Sequence, residues 1–189
     1  MTHIVSSAMS SDAPKVWLRG FEPADAAAVH RWFNNRDATA TLMELRSGFS
    51  EQDAERWVER AMDDSGEDRK FAIMVGGHEG PVGFTALYGL FRQTAPELGA
   101  LIGDDVRGKG VGRRAEALTI AKAFDDFGAH RVYGRIPAYN EAAKRVVASL
   151  GWAHEGTMRG HLSRDGELAD CEVWGVLPDE FRAAAADLE

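Results

Sequence analysis

The sequence predicts an α+β fold with a mixed sheet, and three observations carry that prediction. Apolar residues alternate with polar ones in several short runs and recur every third or fourth position in others, so strands and helices are both present. The runs follow the order β-α-α-β-β-β-α-β-α-β-β. The stretch Pro96 to Phe127 then joins an apolar run, Leu98 to Ile102, through a glycine-rich turn to a long amphipathic helix.

The elements follow in order. Lys15 to Phe21 alternates as a first strand. Pro23 sits where a first helical turn tolerates it, Ala24 to Phe33 continues as a helix, and Asn34-Asn35 ends it. Thr39 to Gly48 reads as loop or irregular helix. Ser50 and Asp53 form a capping box with Asp in place of Glu, opening a helix over Glu51 to Met62. Lys70 to Val75 and Val82 to Phe91 are strands joined by the turn Gly76 to Gly80. After the central helix, Gly128-Ala129-His130 is a helix stop and Arg131 to Pro137 a strand. Asn140 caps a helix over Glu141 to Leu150, which Gly151 ends. Trp152 to Leu162 and Glu167 to Leu177 close the chain as a hairpin around Arg164-Asp165-Gly166, and Pro178 to Glu189 forms a C-terminal helix.

Composition bounds the function. A chain of 189 residues suits one domain with room for a sizeable core. Apolar and charged fractions of 44% and 28% are ordinary for a soluble globular protein. A net charge of −8 argues against non-specific nucleic-acid binding and mildly favours a cationic substrate, with solubility the plainer consequence. The lone cysteine, Cys171, excludes an internal disulfide and fits a reducing cytoplasm. No apolar run approaches the roughly 20 residues of a membrane span. MTHIVSSAMSSDAP lacks the charged start and apolar core of a signal peptide, so residues 1–14 read as a flexible tail. Residues 15–181 form the domain and 182–189 a helical tail.

The central stretch carries the chemistry. Between Gly103 and the helix lies Arg107-Gly108-Lys109-Gly110-Val111-Gly112. Glycines at alternate positions let backbone N–H groups point into one concavity, at the positive end of a helix. Arg107, Lys109, Arg113 and Arg114 add cationic charge there. The arrangement suits a phosphate, although an ordinary structural turn uses the same residues. A P-loop would need Ser or Thr after Gly-Lys, and a dinucleotide fingerprint would need G-x-G-x-x-G; neither is present.

What remains resembles the acetyl-CoA pyrophosphate loop of the GNAT N-acetyltransferases, (Q/R)-x-x-G-x-(G/A), with Arg107, Gly110 and Gly112 at its fixed positions. The segment Asn140 to Trp152, NEAAKRVVASLGW, is similar to the same family's N-x-x-(A/S)-x-x-(V/L)-x-x-x-x-G-(F/W) signature. Glu155-Gly156-Thr157-Met158-Arg159, then Asp165-Gly166 and Asp170, look like the RimJ/RimL branch. The resemblance runs from about Val16 to Phe181. It implies a GNAT fold, with a mixed, mostly antiparallel sheet of about seven strands splayed at the acetyl-CoA site and flanked by helices.

The resemblance also implies roles. Acetyl-CoA is the cosubstrate, and no metal is needed. Its pyrophosphate would lie on the amides of Arg107, Gly108, Lys109, Gly110, Val111 and Gly112. Pantetheine would pair with the strand edge at Leu101, Ile102 and Gly103. Asn140 would hydrogen-bond the arm, and Lys144 would stand near the nucleotide phosphates, unless it is a solvated helix charge. The reaction is direct attack of an amine on the thioester. Leu101 N–H would serve as oxyanion donor and Glu97 as the base working through water, its alternative being an exposed charge. Tyr and Ser at two helix positions are the family's usual acids for the thiolate; Val147 and Ala143 stand there instead, which leaves Tyr139, Tyr133 or water as substitutes, or a thiolate that departs unprotonated. Trp32, Asn34 and Asn35 fall where the family binds its acceptor, a small-molecule or peptide amine. Cys171 reads as a core residue. A non-catalytic acyl-CoA sensor is the alternative reading, and a homodimer is compatible with either.

Overall fold

The computed structural model describes residues 14–39, 48–92, 95–164 and 166–188. The tail over residues 1–13, most of the irregular segment after Thr39, and Asp165 lie outside the described residues.

Seven strands form one sheet: β1 (Val16–Arg19), β2 (Arg69–Val75), β3 (Gly83–Tyr88), β4 (Glu97–Ile102), β5 (Val132–Pro137), β6 (Ala153–Arg164) and β7 (Glu167–Val176), in the spatial order β1-β2-β3-β4-β5-β7-β6. Every neighbouring pair is antiparallel except β4 with β5. The helices are α1 (Ala26–Asn34), α2 (Arg36–Thr39), α3 (Glu51–Met62), α4 (Val111–Ala121), α5 (Glu141–Ser149) and α6 (Pro178–Ala185). The expected α+β architecture with seven strands is the one observed.

Local chemistry explains the ends of several elements. Ser50 Oγ accepts the Asp53 amide at 3.1 Å while Asp53 Oδ2 accepts the Ser50 amide at 3.0 Å, so the expected capping box starts α3. Asn140 Oδ1 accepts the Ala143 amide at 3.1 Å and starts α5. The central helix is shorter than its apolar pattern: α4 ends at Ala121, and a π turn over Lys122–Asp126 carries the chain to Gly128.

Helices cover both faces. Val29, Phe33 and Trp32 of α1 and Ala54 and Val58 of α3 bury Phe84, Ala86 and Leu101 on one face. On the opposite face Ile120 of α4 and Val147 of α5 pack with Leu87, Leu98 and Val132. Val111 and Ala115 of α4 meet Ile73 and Val75 in a third cluster. Two buried hydroxyls, Thr85 and Thr119, satisfy each other at 2.6 Å where α4 crosses β3. Among the described residues no helix is long and apolar enough to cross a membrane, and no group of His, Cys, Asp and Glu could hold a metal ion.

Candidate active site

Strands β4 and β5 run parallel yet share one register pair, Glu97 opposite Tyr133, closed by Tyr133 N–H donating to Pro96 O at 3.2 Å. On its other edge β4 pairs with β3 from Tyr88↔Glu97 to Gly83↔Ile102. Beyond Glu97 and Tyr133 the two parallel strands part, and a cavity of about 530 Å³ occupies the gap. That volume lies within the range of small-ligand sites.

Side chains alternate across a strand, so the lining sorts by face. Leu98 and Ala100 line the cavity with Glu116 of α4, Ala143 and Val147 of α5, and Trp152. Glu97 and Arg135 line it on the opposite side of the sheet, with Phe33, Trp57, Phe84 and Tyr88. The cavity therefore passes through the sheet. One mouth adjoins the helix α4, the other an aromatic wall built on α1, α3 and β3.

The glycine-rich turn ends at the N-terminus of α4. Gly108 and Gly110 have φ of +74° and +76°, a left-handed backbone that glycine adopts without strain. A side chain at Gly110 would meet nothing within 4 Å, so the turn is open. The α4 ladder begins with Arg114 N–H donating to Gly110 O at 3.3 Å. The preceding amides belong to the first turn, which has no intrahelical acceptors. The cations around it already hold protein oxygens. Arg107 pairs with Asp104 at 2.6 Å and donates to Ile102 O at 3.1 Å. Lys109 donates to Asp105 O, Arg113 to Ser149 and Arg114 to Pro14 O. An anion held here would rest on backbone amides more than on these side chains.

Glu97 is half-sunk at the narrow end of the gap. Arg135 donates to both its oxygens, Nε to Oε1 at 2.8 Å and Nη2 to Oε2 at 3.0 Å. Tyr133 Oη donates to Oε2 at 3.3 Å. Burial first, then the Glu97 charge, raises the Tyr133 pKa. A carboxylate offers about four acceptor sites, so one remains for water or a ligand.

The strand edge corrects the position of the backbone donor. Gly103 N–H donates to Val82 O at 2.8 Å, and Pro96 O faces β5. Alternation then turns the polar groups of 97, 99, 101 and 103 toward β3, and those of 98, 100 and 102 toward the gap. Leu101, opposite Phe84, faces away from the cavity with its side chain buried. Ala100 N–H is the cavity-lining amide on the open edge, followed by Ile102.

The other expected site residues divide. Asn140 lines the cavity; its Oδ1 is committed to the helix cap, and its Nδ2 has no acceptor among the described residues. Lys144 is engaged by protein oxygens: its ammonium holds Glu141 at 2.6 Å, Ala138 O at 2.8 Å and Glu172 at 3.3 Å. The hydrogen bond to Glu141, foremost, raises its pKa. Trp32 is buried in the core. Asn34 exchanges hydrogen bonds with the Phe49 backbone at 2.8 and 3.1 Å. Asn35 donates to Asp104 and caps α2 through Asp37 N–H and Ala38 N–H. None of these three lines the cavity; Phe33 beside them does. Cys171, opposite Pro137, is fully buried and does not itself line the cavity, and burial raises its thiol pKa.

Glu116, Trp57, Phe84, Tyr88, Arg135 and Trp152 were not anticipated as site residues. In the sequence Glu116 recurs with Arg113 and Thr119 as the polar stripe of the helix; the structure buries Glu116 and Thr119 and exposes Leu118, the reverse of that pattern.

Residues 15–153 match the sequence profile of the family described as "Acetyltransferase (GNAT) domain". The probable N-acetyltransferase YjcK of Bacillus subtilis (strain 168) is 27% identical over 118 residues, covering 60% of this chain and 65% of that protein. The match thus spans slightly less than two thirds of that relative. Spermidine N-acetyltransferase from Vibrio cholerae, in complex with CoA and spermine, superposes with a TM-score of 0.80 at 20% identity, over 88% of this chain and 97% of that one. RimJ from Mycobacterium smegmatis, in complex with CoA-disulfide, superposes with a TM-score of 0.76 at 21% identity, over 92% and 88%. At such identities these two likenesses speak to the fold.

Proposed function

Because the chain belongs to the GNAT acetyltransferase family, we propose that it moves an acetyl group from acetyl-CoA directly to a primary amine, either a protein N-terminus or a small molecule. The observation that carries this reading is the cavity through the sheet at the β4–β5 gap, lined on one side by Glu116 of α4, one helical turn beyond the glycine-rich turn, and on the other by the Glu97 carboxylate. Two ligands can meet end to end in such a passage without sharing a door.

The residues present suit acetyl-CoA. Amides from Gly108 to Gly112 would hold the pyrophosphate, and the open edge at Ala100 and Ile102 would pair with the pantetheine amides. Asn140 Nδ2 is a further donor within the cavity. Glu97, through its remaining acceptor site and a water, takes the proton that the amine must lose before attack. Ala100 N–H faces the charge that builds on the carbonyl oxygen. The aromatic wall of Phe33, Trp57, Phe84 and Tyr88 would seat the acceptor. RimJ among the superposing structures supports a RimJ/RimL-like acceptor, and the spermine complex supports a polyamine. A reducing cytoplasmic setting suits the lone thiol. The resemblance of both motifs to an enzyme family favours catalysis over a sensor, whose only support is the missing hydroxyl at Ala143 and Val147.

The test is CoA release from acetyl-CoA with a panel of amines: an N-terminal peptide, spermidine, an amino sugar. Turnover with one class is expected. Tight CoA binding with no turnover on any amine would favour the sensor, and no CoA binding would end the reading.

A further inference from the structure

Two buried polar atoms lack any hydrogen-bond partner among the described residues, Glu116 Oε2 and Trp152 Nε1, and both residues line the β4–β5 cavity. Unpaired buried polar groups are rare because each forfeits its hydration, so two at one site mark a place built for a polar ligand. Glu116 follows Gly112 by one turn of α4, about 6 Å along the axis. It thus stands on the path from the glycine-rich turn into the gap. Facing the same cavity from α5 are Ala143 and Val147, neither of which can give a proton.

We propose that Glu116 is the acid of the transfer step: its carboxyl group, reaching the cavity from α4, protonates the CoA sulfur as the amine displaces it. The assignment rests on the acetyl-transfer reading above. The amine nitrogen bonds to the carbonyl carbon, the C–S bond breaks, and its electron pair stays on sulfur. The Glu116 O–H bond breaks as S–H forms, leaving a carboxylate. The surplus proton of the amine passes to water, and water returns one to Glu116, so the products are the N-acetyl amine and the CoA thiol.

The surroundings keep the proton available. Burial alone pushes the Glu116 pKa up to about 8, so the neutral acid prevails at pH 7. The charged groups lining the cavity are Glu97 of β4 and Arg135 of β5, which are paired with each other. The α5 residues that line it, Ala143 and Val147, carry no charge.

The experiment uses the full chain with CoA and acetyl-CoA as probes. Calorimetry with CoA comes first, and a parent protein that does not bind it ends the acetyl-transfer reading together with this assignment. With the amine turned over fastest, Glu116→Gln should lower kcat near pH 7 by about 10²–10⁴-fold. CoA affinity should stay within about threefold, because the amide keeps the carboxyl's shape. An unchanged kcat, or a loss confined to CoA affinity, overturns the proposal while leaving the acetyl-transfer reading intact. The parent's kcat should fall above about pH 8 as the acid ionises, and that limb should vanish in Glu116→Gln; a falling limb common to both overturns it. An acceptor-free measurement reads the same group. The infrared stretch of a protonated carboxyl, present in the parent and missing from Glu116→Gln, should shift when CoA binds. A band that stays in place overturns the proposal.

Discussion

Glu97 and Arg135 face each other across the only parallel strand pair of the sheet and are joined by two hydrogen bonds of 2.8 and 3.0 Å. Glu97 opens β4 and Arg135 lies midway along β5, so their ion pair ties the strands just where the backbone ladder stops. A planar fork gripping a carboxylate on both oxygens fixes its orientation as well as its charge. The pair thus sets the width of the gap and aims the remaining face of Glu97 into it.

Arg135→Lys keeps the charge and loses the fork. A lysine cannot hold both oxygens in one geometry, so Glu97 gains freedom. The variant should fold with a stability loss of about 1 kcal/mol, as the pair is only partly buried. Its kcat should fall by roughly tenfold or more from misplacement of the carboxylate alone. A rate equal to the parent's would reduce the pair to a strand clasp.

Glu97→Gln keeps the shape and removes the base. The rate near neutral pH should fall by about 10²–10⁴-fold with CoA affinity unchanged. The deficit should shrink as pH rises, because more amine then arrives already neutral. An α-amino acceptor, with a pKa of about 8, should show that recovery at lower pH than a lysine or polyamine nitrogen near 10. Parent-like kinetics at pH 7 would leave the base unassigned.

At the glycine-rich turn, Gly110→Asp places a carboxylate beside the first-turn amides of α4, at a backbone φ of +76°. Two lost charge-assisted hydrogen bonds at about 1.5–3 kcal/mol each lower CoA affinity at least about a hundredfold. Calorimetry on the folded variant checks this, and an affinity equal to the parent's would mean that no anion rests there.

The fold was legible because its signals are local. Ser50 with Asp53, and Asn140 before α5, announce helix starts through hydrogen bonds that span three residues. The turn at Gly108 to Gly112 is equally local. The site was only half legible, because a cavity between β4 and β5 is lined by residues far apart in sequence. Glu97 meets Arg135 38 positions later. Asn34 and Asn35 look like ligand residues in sequence, yet they are spent on the Phe49 backbone and on Asp104. Lys144 looks free until Glu172 of β7 reaches it. Leu101 and Ala100 are neighbours in one strand, and the register against β3 decides which amide faces the gap. Glu116 falls on the same stripe as Arg113 and Thr119, which reads as the solvent face of the helix, yet Glu116 and Thr119 are buried while Leu118 is exposed.

Direct transfer makes a further demand. Cys171 is fully buried and does not line the cavity. Cys171→Ala should therefore leave the initial rate within about a fewfold of the parent and remove only packing, at about 1 kcal/mol. Acetylated Cys171 on the reaction path, together with ping-pong kinetics, would replace direct transfer with an acyl-enzyme.

The same buried carboxyl that is proposed as the acid must leave a mark on stability. Glu116 has its pKa pushed from the ordinary 4.5 up to about 8 in the folded protein, by burial alone. A raised folded value means that the folded state holds a proton the unfolded chain has released. Its contribution is fully present below pH 4.5 and is lost as pH rises through about 8. Across that window it should cost about 1.4 kcal/mol of stability per pH unit, the worth of one proton. Groups with lowered values, such as Glu155 beside Arg131, act in the opposite sense and at lower pH. They are common to parent and variant, so the difference between the two isolates Glu116. Urea unfolding of parent and Glu116→Gln at several pH values between 5 and 8 measures it. The parent's stability should fall more steeply with pH than the variant's, and the two curves should diverge as pH rises. Parallel curves would mean that Glu116 is already ionised in the folded protein, and a group without a proton at pH 7 cannot be the acid.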